Sequence, residues 1–171
     1  MRYLLVVLIL LSIPAAAQQR DCGKLPDILD GQVYAIDGAT LAMIAGDKRT
    51  PDIRLWGIRA PVLRDRMTGL ENPAGMQARE RLDRILRTGR SAFCRPKAWD
   101  SECRVVADCQ TVASHNTDLG MSMVAGGFAY VDVSIALRGD ITYGQNLLKT
   151  ERDARSERRG LWRLWDIPQE K

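Results

Sequence analysis

The chain has 171 residues, a length that suits one domain with its own hydrophobic core and excludes several ordinary domains. Its 25 Lys and Arg residues against 21 Asp and Glu residues give a formal net charge of +4. This excess permits contact with a phosphate backbone without requiring it. Many arginines alternate with acids, as in Arg79-Glu80-Arg81, which is typical of solvated helix faces with local ion pairs.

The first 17 residues have the pattern of a secretory signal peptide. Arg2 precedes an apolar run from Leu4 to Ile13, interrupted only by Ser12, and Pro14 to Ala17 supply small residues for cleavage. The run is too short to span a bilayer, which takes ~20 apolar residues. We expect cleavage after Ala17 and a periplasmic or secreted protein with no transmembrane segment.

Cleavage would remove Arg2 and leave 25 − 1 = 24 basic against 21 acidic residues, a net charge of +3. The alternative of a lipid anchor at Cys22 is disfavoured, because Asp21 stands where such a site needs a small residue. The predicted organisation is a signal peptide (1–17), an N-terminal arm (18–30), one domain (31–165) and a C-terminal tail (166–171).

Four cysteines follow the predicted leader, and an even count in an exported protein indicates two disulfides. Four cysteines allow three pairings. Zinc binding is the alternative, but the sequence contains no CxxC pair and His115 is its one histidine. His115 stands beside Asn116 in a predicted turn, which favours an exposed side chain.

The first third of the chain reads as a β-meander. Alternating apolar residues predict strands at Gln32–Ile36, Thr40–Ala45 and Ile53–Ile58, with turns at Asp37-Gly38 and Gly46-Asp47. Such a meander can close as a small barrel. A polar loop follows from Arg59 to Asn72.

The rest of the chain alternates helices and strands. The predicted elements are a helix that begins at Pro73 and ends at Gly89, strands Ser91–Lys97 and Arg104–Val112, a short helix capped within Asn116–Asp118 and ended by Gly126-Gly127, and a charged amphipathic helix Tyr143–Arg159. Taken alone, these patterns indicate a small α+β protein.

Several segments carry a resemblance to a known family. They are Asp37-Gly38-Ala39-Thr40-Leu41, the run from Ile53 to Val62, Arg104 and the closing Gly160-Leu161-Trp162. Between Gly31 and Trp162 the chain resembles the staphylococcal (thermo)nuclease family. The resemblance implies an α+β fold: a five-stranded OB-type Greek-key β-barrel with three packed helices.

In that order of strands, Cys94 lies in the fourth strand and Cys109 in the fifth, with their midpoint inside the connecting hairpin. Cross-strand neighbours approach closely enough for a disulfide. We therefore expect Cys94–Cys109, and Cys22–Cys103 as the second pair, which would tie the N-terminal arm to the hairpin.

The family's site uses two arginines, two calcium-binding aspartates and a glutamate proposed as general base. The resemblance places the arginines, as the retained catalytic residues, at Arg54 and Arg104. The calcium-ligand positions hold Ala39 and Arg59, and the position of the base holds Val62. It therefore implies a protein without the family's calcium site, and we expect no metal or other cofactor.

Replacing two carboxylates by a methyl and a guanidinium makes this position cationic. We expect Arg54, Arg59 and Arg104 to bind an anion, such as a phosphate, a sulfate or a carboxylated sugar. The alternative is structural: Arg54 on the polar face of a strand, Arg59 solvated, and Arg104 paired with Asp100 or Glu102. A further alternative is that another acid substitutes for the lost ones; the candidates are Asp37, Asp65 and Glu71.

Two functions follow from this reading. The first is an exported accessory module that binds nucleic acid, an acidic polysaccharide or an envelope protein; exported proteins similar to this family occur in rhizobial gene sets for succinoglycan synthesis. The alternative is an active endonuclease with a rearranged site. Trp162 and Trp165 are expected to fill the core, with base or sugar stacking as the alternative.

Overall fold

The computed structural model describes residues 21–87, 89–112 and 116–164. The predicted signal peptide, His115 and Trp165 lie outside these ranges. The strands are β1 Leu29–Ala35, β2 Thr40–Ala45, β3 Lys48–Arg49, β4 Ile53–Leu55, β5 Ile58–Arg59, β6 Ser91–Trp99, β7 Val105–Thr111 and β8 Tyr130–Val131. The helices are α1 Pro73–Leu86, α2 Leu119–Ala125, α3 Val133–Ala136, α4 Ile141–Ser156 and a 3-10 turn at Gly160–Arg163.

Five strands form a closed barrel. They are hydrogen-bonded in the order β1-β6-β7-β4-β2, and a further pairing of β1 with β2 closes the ring. All of these pairs are antiparallel except β4 with β7, which is parallel. Strand β3 pairs with the end of β2 and is not part of the ring. This architecture confirms the expected α+β OB-type barrel with helices packed on it.

The two faces of each barrel strand carry different residues, because successive side chains point to opposite sides. In β4, Ile53 and Leu55 are buried in the core and Arg54 faces outward. Helix α1 packs Ala78 and Leu82 against the same core. Sequence alternation therefore decides which side chains remain available outside the barrel.

The third predicted strand is wrong in one respect, since it is not continuous from Ile53 to Ile58. The chain turns at Trp56-Gly57, where Gly57 has a φ of 74°, in the left-handed region. A Cβ on Gly57 would lie 3.1 Å from Leu147 Cδ1 and 3.3 Å from Ala136. The strand breaks here because the chain leaves the barrel to pair β5 with β8.

The helices begin close to the predicted positions. The Asn72 side chain accepts a hydrogen bond from the Ala74 N–H at the start of α1, with Pro73 in the first turn. The Asp118 carboxylate caps α2 in the same way through the Met121 N–H. Helix α4 begins two residues earlier and ends three residues earlier than predicted. The short elements β3, β8 and α3 were not predicted.

Both expected disulfides are present. Cys94 and Cys109 are directly opposed across β6 and β7, with their Cα atoms 4.1 Å apart. Cys22 joins the N-terminal arm to Cys103 in the β6–β7 turn, with a Cα separation of 5.3 Å. Among the described residues, no helix is both long and apolar enough to cross a membrane.

Candidate functional site

Arg54 projects from the outer face of the barrel. It lies opposite Thr40 across the β2–β4 pair and beside Val106 across the β4–β7 pair. Its side chain is only 21% exposed. Its closest acidic partner is Asp132, 3.9 Å from Nη2, and among the described residues its guanidinium makes no hydrogen bond. Arg54 therefore keeps N–H donors that are available to a ligand.

Arg59 is brought to the same place by the pairing of β5 with β8. This pairing sets Arg59 opposite Tyr130 and places Asp132 immediately after β8. The Asp132 N–H donates to the Gly57 carbonyl at 2.9 Å, which fixes the start of α3 against the turn after β4. Arg59 Nε–H then donates to Asp132 Oδ2 at 2.6 Å. Two arginines thus share one carboxylate.

The Asp132 carboxylate is buried and fully engaged. Its Oδ1 accepts a hydrogen bond from the Ser134 hydroxyl at 2.6 Å. Burial by itself would raise the pKa of Asp132, but the hydrogen bonds from Ser134 and Arg59 and the charges of both arginines outweigh it, so that the pKa lies below its usual range. Asp132 is therefore a permanent negative charge at neutral pH.

Arg104 is held by the acids of its own turn. Its Nε–H donates to Asp100 Oδ2 at 2.7 Å, and its Nη1 lies 3.4 Å from Glu102. Asp100 also accepts the backbone N–H groups of Glu102 and Arg104. The sequence suggested Asp100 or Glu102 as a partner of Arg104, and the structure pairs Arg104 with both.

Arg54 and Arg104 nevertheless face the same side of the sheet. Arg54 is in register with Val106, two residues beyond Arg104 on β7. A strand spacing of ~4.8 Å and a rise of ~3.3 Å per residue put their Cα atoms about 8 Å apart. The structure therefore brings Arg54 and Arg59 together at Asp132 and leaves Arg104 as a diagonal neighbour with its own counterions.

The three altered positions lie around this face. Ala39 is buried in the Asp37–Thr40 turn, where Asp37 Oδ1 accepts the Ala39 N–H at 2.7 Å. Val62 is 47% exposed at the start of the loop after β5. Neither position, nor Arg59, supplies a carboxylate oxygen.

The loop acids considered as substitutes are engaged elsewhere. Asp65 accepts the backbone N–H groups of Met67 and Thr68 and the hydroxyl of Thr68, which lowers its pKa. Glu71 is exposed and pairs with Arg64 at 3.4 Å. Asp37 closes its own turn. Each of the three thus has a local structural contact.

A second polar cluster lies farther along the barrel. The Tyr143 hydroxyl donates to Asp118 at 3.1 Å, and the Tyr143 ring packs against Trp56 with centroids 5.4 Å apart. Burial, opposed by the hydrogen bonds from Met121 and Tyr143, leaves the pKa of Asp118 above its usual value. Burial, together with the negative charges of Asp118 and Asp108, also raises the pKa of Tyr143. This cluster joins α2 and α4 to the barrel.

Asp132 and Ser134 were not found from the sequence. Asp132 lies 73 residues from Arg59, and its local pattern is that of an ordinary residue before a short helix. No local pattern in the sequence marks Asp132 as the partner of Arg59. Trp162 is buried beneath Arg155, whose guanidinium lies 4.4 Å from the ring centroid.

A closed OB-type barrel with two arginines on its outer face and helices packed on it defines a nuclease-like domain. A scan against known families matches residues 52–164, about two thirds of the chain, to the staphylococcal nuclease homologues. The chain therefore belongs to that family. The Asp37–Thr40 turn precedes the matched range, and its place beside Arg54 comes from the β2–β4 pairing. A search of curated proteins finds no match to the chain.

Proposed function

We propose that this chain is an exported nuclease-like protein that has lost calcium-dependent phosphodiester hydrolysis and acts as an anion-binding accessory module. The observation that supports the proposal most directly is the state of Arg54. It is partly buried, faces outward beside a second arginine, and keeps unpaired N–H donors among the described residues. Guanidinium groups of this kind bind oxyanions through paired hydrogen bonds.

The loss of the calcium site is proposed from the residues that stand there. Calcium needs six to eight oxygen ligands, several of them carboxylates. Ala39 and Val62 offer none from their side chains, Arg59 brings a positive charge, and Asp132 is already shared by two arginines and Ser134. In the part of the chain that the structure describes, no three acidic, cysteine or histidine side chains are grouped to hold a metal ion. The residues do not fit the ion.

Export to the periplasm or the medium is part of the same proposal. It is supported by the leader pattern of residues 1–17 and by two disulfides, which persist in oxidising compartments. The ligand classes are nucleic acid and acidic polysaccharide, since barrels of this type bind both kinds of polymer. The biological setting suggested by the resemblance is acidic exopolysaccharide synthesis of the succinoglycan type, with a possible envelope protein partner.

An active endonuclease or phosphodiesterase with a rearranged site is the alternative. It is favoured by one observation: Arg54 and Arg104, the two arginines of the family's site, remain on the same face of the barrel. Such an enzyme would need a proton acceptor, and Asp132, the carboxylate nearest Arg54, already accepts hydrogen bonds from Arg59 and Ser134.

Two assays on the mature protein separate these functions. Single-stranded DNA and RNA are incubated with it in calcium or in chelator, and a dinucleoside phosphate is titrated into it by NMR. We expect no cleavage, and anion binding that is lost in Arg54→Ala. The matched control is Arg84→Ala, which removes the same charge from an exposed position on α1. Chelator-sensitive cleavage that disappears in Arg54→Ala would overturn the proposal in favour of the enzyme.

A further inference from the structure

The proposed anion site contains its own negative charge. Asp132 Oδ2 lies 2.6 Å from Arg59 Nε and 3.9 Å from Arg54 Nη2, and its side chain is only 6% exposed. A ligand that contacts Arg54 therefore comes within a few ångströms of a buried carboxylate. Because this carboxylate is shielded from bulk water, salt screens its effect only weakly.

Asp132 is also fixed in place. The Ser134 hydroxyl holds its Oδ1, its N–H donates to the Gly57 carbonyl, and its own carbonyl accepts the N–H groups of Ile135 and Ala136. These contacts link it to the turn after β4 and to the first turn of α3. The backbone at Asp132 is therefore fixed, and a ligand cannot displace the carboxylate without breaking its hydrogen bonds to Ser134 and Arg59.

The charges of this cluster add to a single positive unit. Arg54 and Arg59 contribute +2 and Asp132 contributes −1. Arg104 adds no positive charge to this sum, since Asp100 lies 2.7 Å and Glu102 lies 3.4 Å from its guanidinium. A ligand group with one negative charge is neutralised by the cluster. A second negative charge on the same group would meet no net positive charge and would be repelled by Asp132.

We propose that Asp132 is a specificity-determining residue that restricts this site to monoanionic oxyacid groups, namely a phosphodiester or a carboxylate, and discriminates against dianionic phosphate monoesters. The proposal rests on the proposed function, because it requires that Arg54 binds an anion. It identifies the ligand as an internal group of a polymer rather than a terminal phosphate.

The test compares two probes that differ by one charge. Thymidine 5′-phosphate is close to a dianion at pH 8, since its second pKa is about 6, and its methyl ester is a monoanion. Both are titrated into the wild-type protein and into Asp132→Asn by NMR. We expect the wild type to bind the ester more tightly than the phosphate. In Asp132→Asn the ratio of affinities should move about tenfold towards the phosphate.

The control is Asp153→Asn, which makes the same change of charge at an exposed position on α4. It should leave the ratio unchanged. An equal shift in both variants would sink the proposal. So would a wild-type protein that binds the phosphate as tightly as the ester or more tightly, and this comparison holds even if Asp132→Asn does not fold.

Failure of the proposed function would look different. In that case neither probe would bind, or binding would survive Arg54→Ala. Binding that is lost in Arg54→Ala but shows no selectivity shift in Asp132→Asn would overturn the inference about Asp132 alone. A dinucleoside phosphate and a galacturonate trimer, titrated in parallel, distinguish the phosphodiester from the carboxylate, and tight binding of either one supports the proposal.

Discussion

Asp132 and Asp118 show how burial and partners compete at single residues. Both carboxylates precede a short helix, and burial raises the pKa of each. Asp132 has two arginines that reverse this effect, whereas Asp118 has only neutral donors and the nearby charge of Asp108. The two residues therefore contribute to stability with opposite dependence on pH.

Substituting each by asparagine should reveal this difference. The pKa of Asp132 is lowered by folding, so its contribution is present above the ordinary aspartate pKa of ~3.9 and is lost as the pH falls through the lower folded value. Asp132→Asn should therefore be destabilising at pH 7, by about 1–2 kcal/mol because half-exposed Arg59 is partly solvated. The difference in the free energy of unfolding between Asp132→Asn and the wild type should shrink below about pH 4. Urea unfolding between pH 3 and pH 7 measures it.

Asp118→Asn should behave in the opposite way. The folded pKa of Asp118 is raised, so its favourable contribution is present below about pH 4 and is lost as the pH rises through the folded value. Asparagine retains the helix cap and removes the desolvated charge. We expect this variant to be at least as stable as the wild type at pH 7 and less stable than it in acid. Parallel pH profiles for the two variants would contradict this account.

At this scale the sequence predicted the positive side of the site and missed its negative side. Arg54 was placed by a motif with fixed spacing, and Arg104 by the resemblance to the family, since Glu102-Cys103 precedes it where the family has Tyr-Gly. Asp132 has no motif, and its meeting with Arg59 depends on side-chain directions set by a distant strand pair.

Among the elements, the two disulfides differ in what they hold together. Cys94–Cys109 joins the neighbouring barrel strands β6 and β7 and is fully buried. Cys22–Cys103 ties a mostly exposed arm to the turn that carries Arg104. The arm is also anchored by the Trp99 Nε1–H bond to the Gly23 carbonyl at 3.0 Å and by Leu25, which packs against the core.

Removing each disulfide should therefore lower the free energy of unfolding by an amount that does not follow the number of residues between its two cysteines. Chain entropy alone predicts about 3 kcal/mol for the 15-residue separation and about 4.5 kcal/mol for the 81-residue separation. We expect Cys22→Ala/Cys103→Ala to lower the free energy of unfolding by less than the larger of these figures, because the released arm gains freedom in the native state. Cys94→Ala/Cys109→Ala should lose about 3 kcal/mol or more, since it also leaves a cavity.

Thermal unfolding of both double variants, with the wild type in reductant as a third sample, decides the order. A larger loss for Cys22→Ala/Cys103→Ala would mean that the arm is held as firmly as the barrel. The wild type in reductant should fall by at least as much as the less stable variant.

Element prediction succeeded where the signal was local. Strands β1, β2, β6 and β7 have alternating residues, and α1 and α2 have caps. The break at Gly57 and the two-residue strands β5 and β8 were missed, because pairs so short are stabilised by tertiary contacts. Glu151 on α4, which accepts the Val131 N–H at 3.2 Å, supplies one of them.

On the scale of the whole molecule, the electrostatic field is weak. If residues 1–17 are removed, as we propose, the chain carries a net charge of 24 − 21 = +3, and Arg54, Arg59 and Arg104 are each paired with acids. A protein that held nucleic acid through a broad basic surface would make many phosphate contacts, each releasing counterions. The candidate site of this protein, by contrast, carries a net charge of only +1 from Arg54, Arg59 and Asp132.

Binding to a single-stranded oligonucleotide should therefore depend only weakly on salt. One to two phosphate contacts predict a slope of log K against log salt of about −1, at about −0.7 for each contact. Fluorescence anisotropy between 50 and 200 mM salt would measure it. A slope of about −4 or steeper would place binding on another, more basic face, and Arg54→Ala would then leave it unchanged.

By itself the sequence determined the order of strands and helices, and its resemblance to the family supplied the expected pairing of the cysteines and the positions of the two family arginines. Periodicity, turn residues and motif spacing are properties of neighbouring residues, and they are visible without a structure. Only the tertiary structure decided what charge the site carries. The pairing of β5 with β8 sets Asp132 between Arg54 and Arg59, and no local pattern encodes a contact across 73 residues.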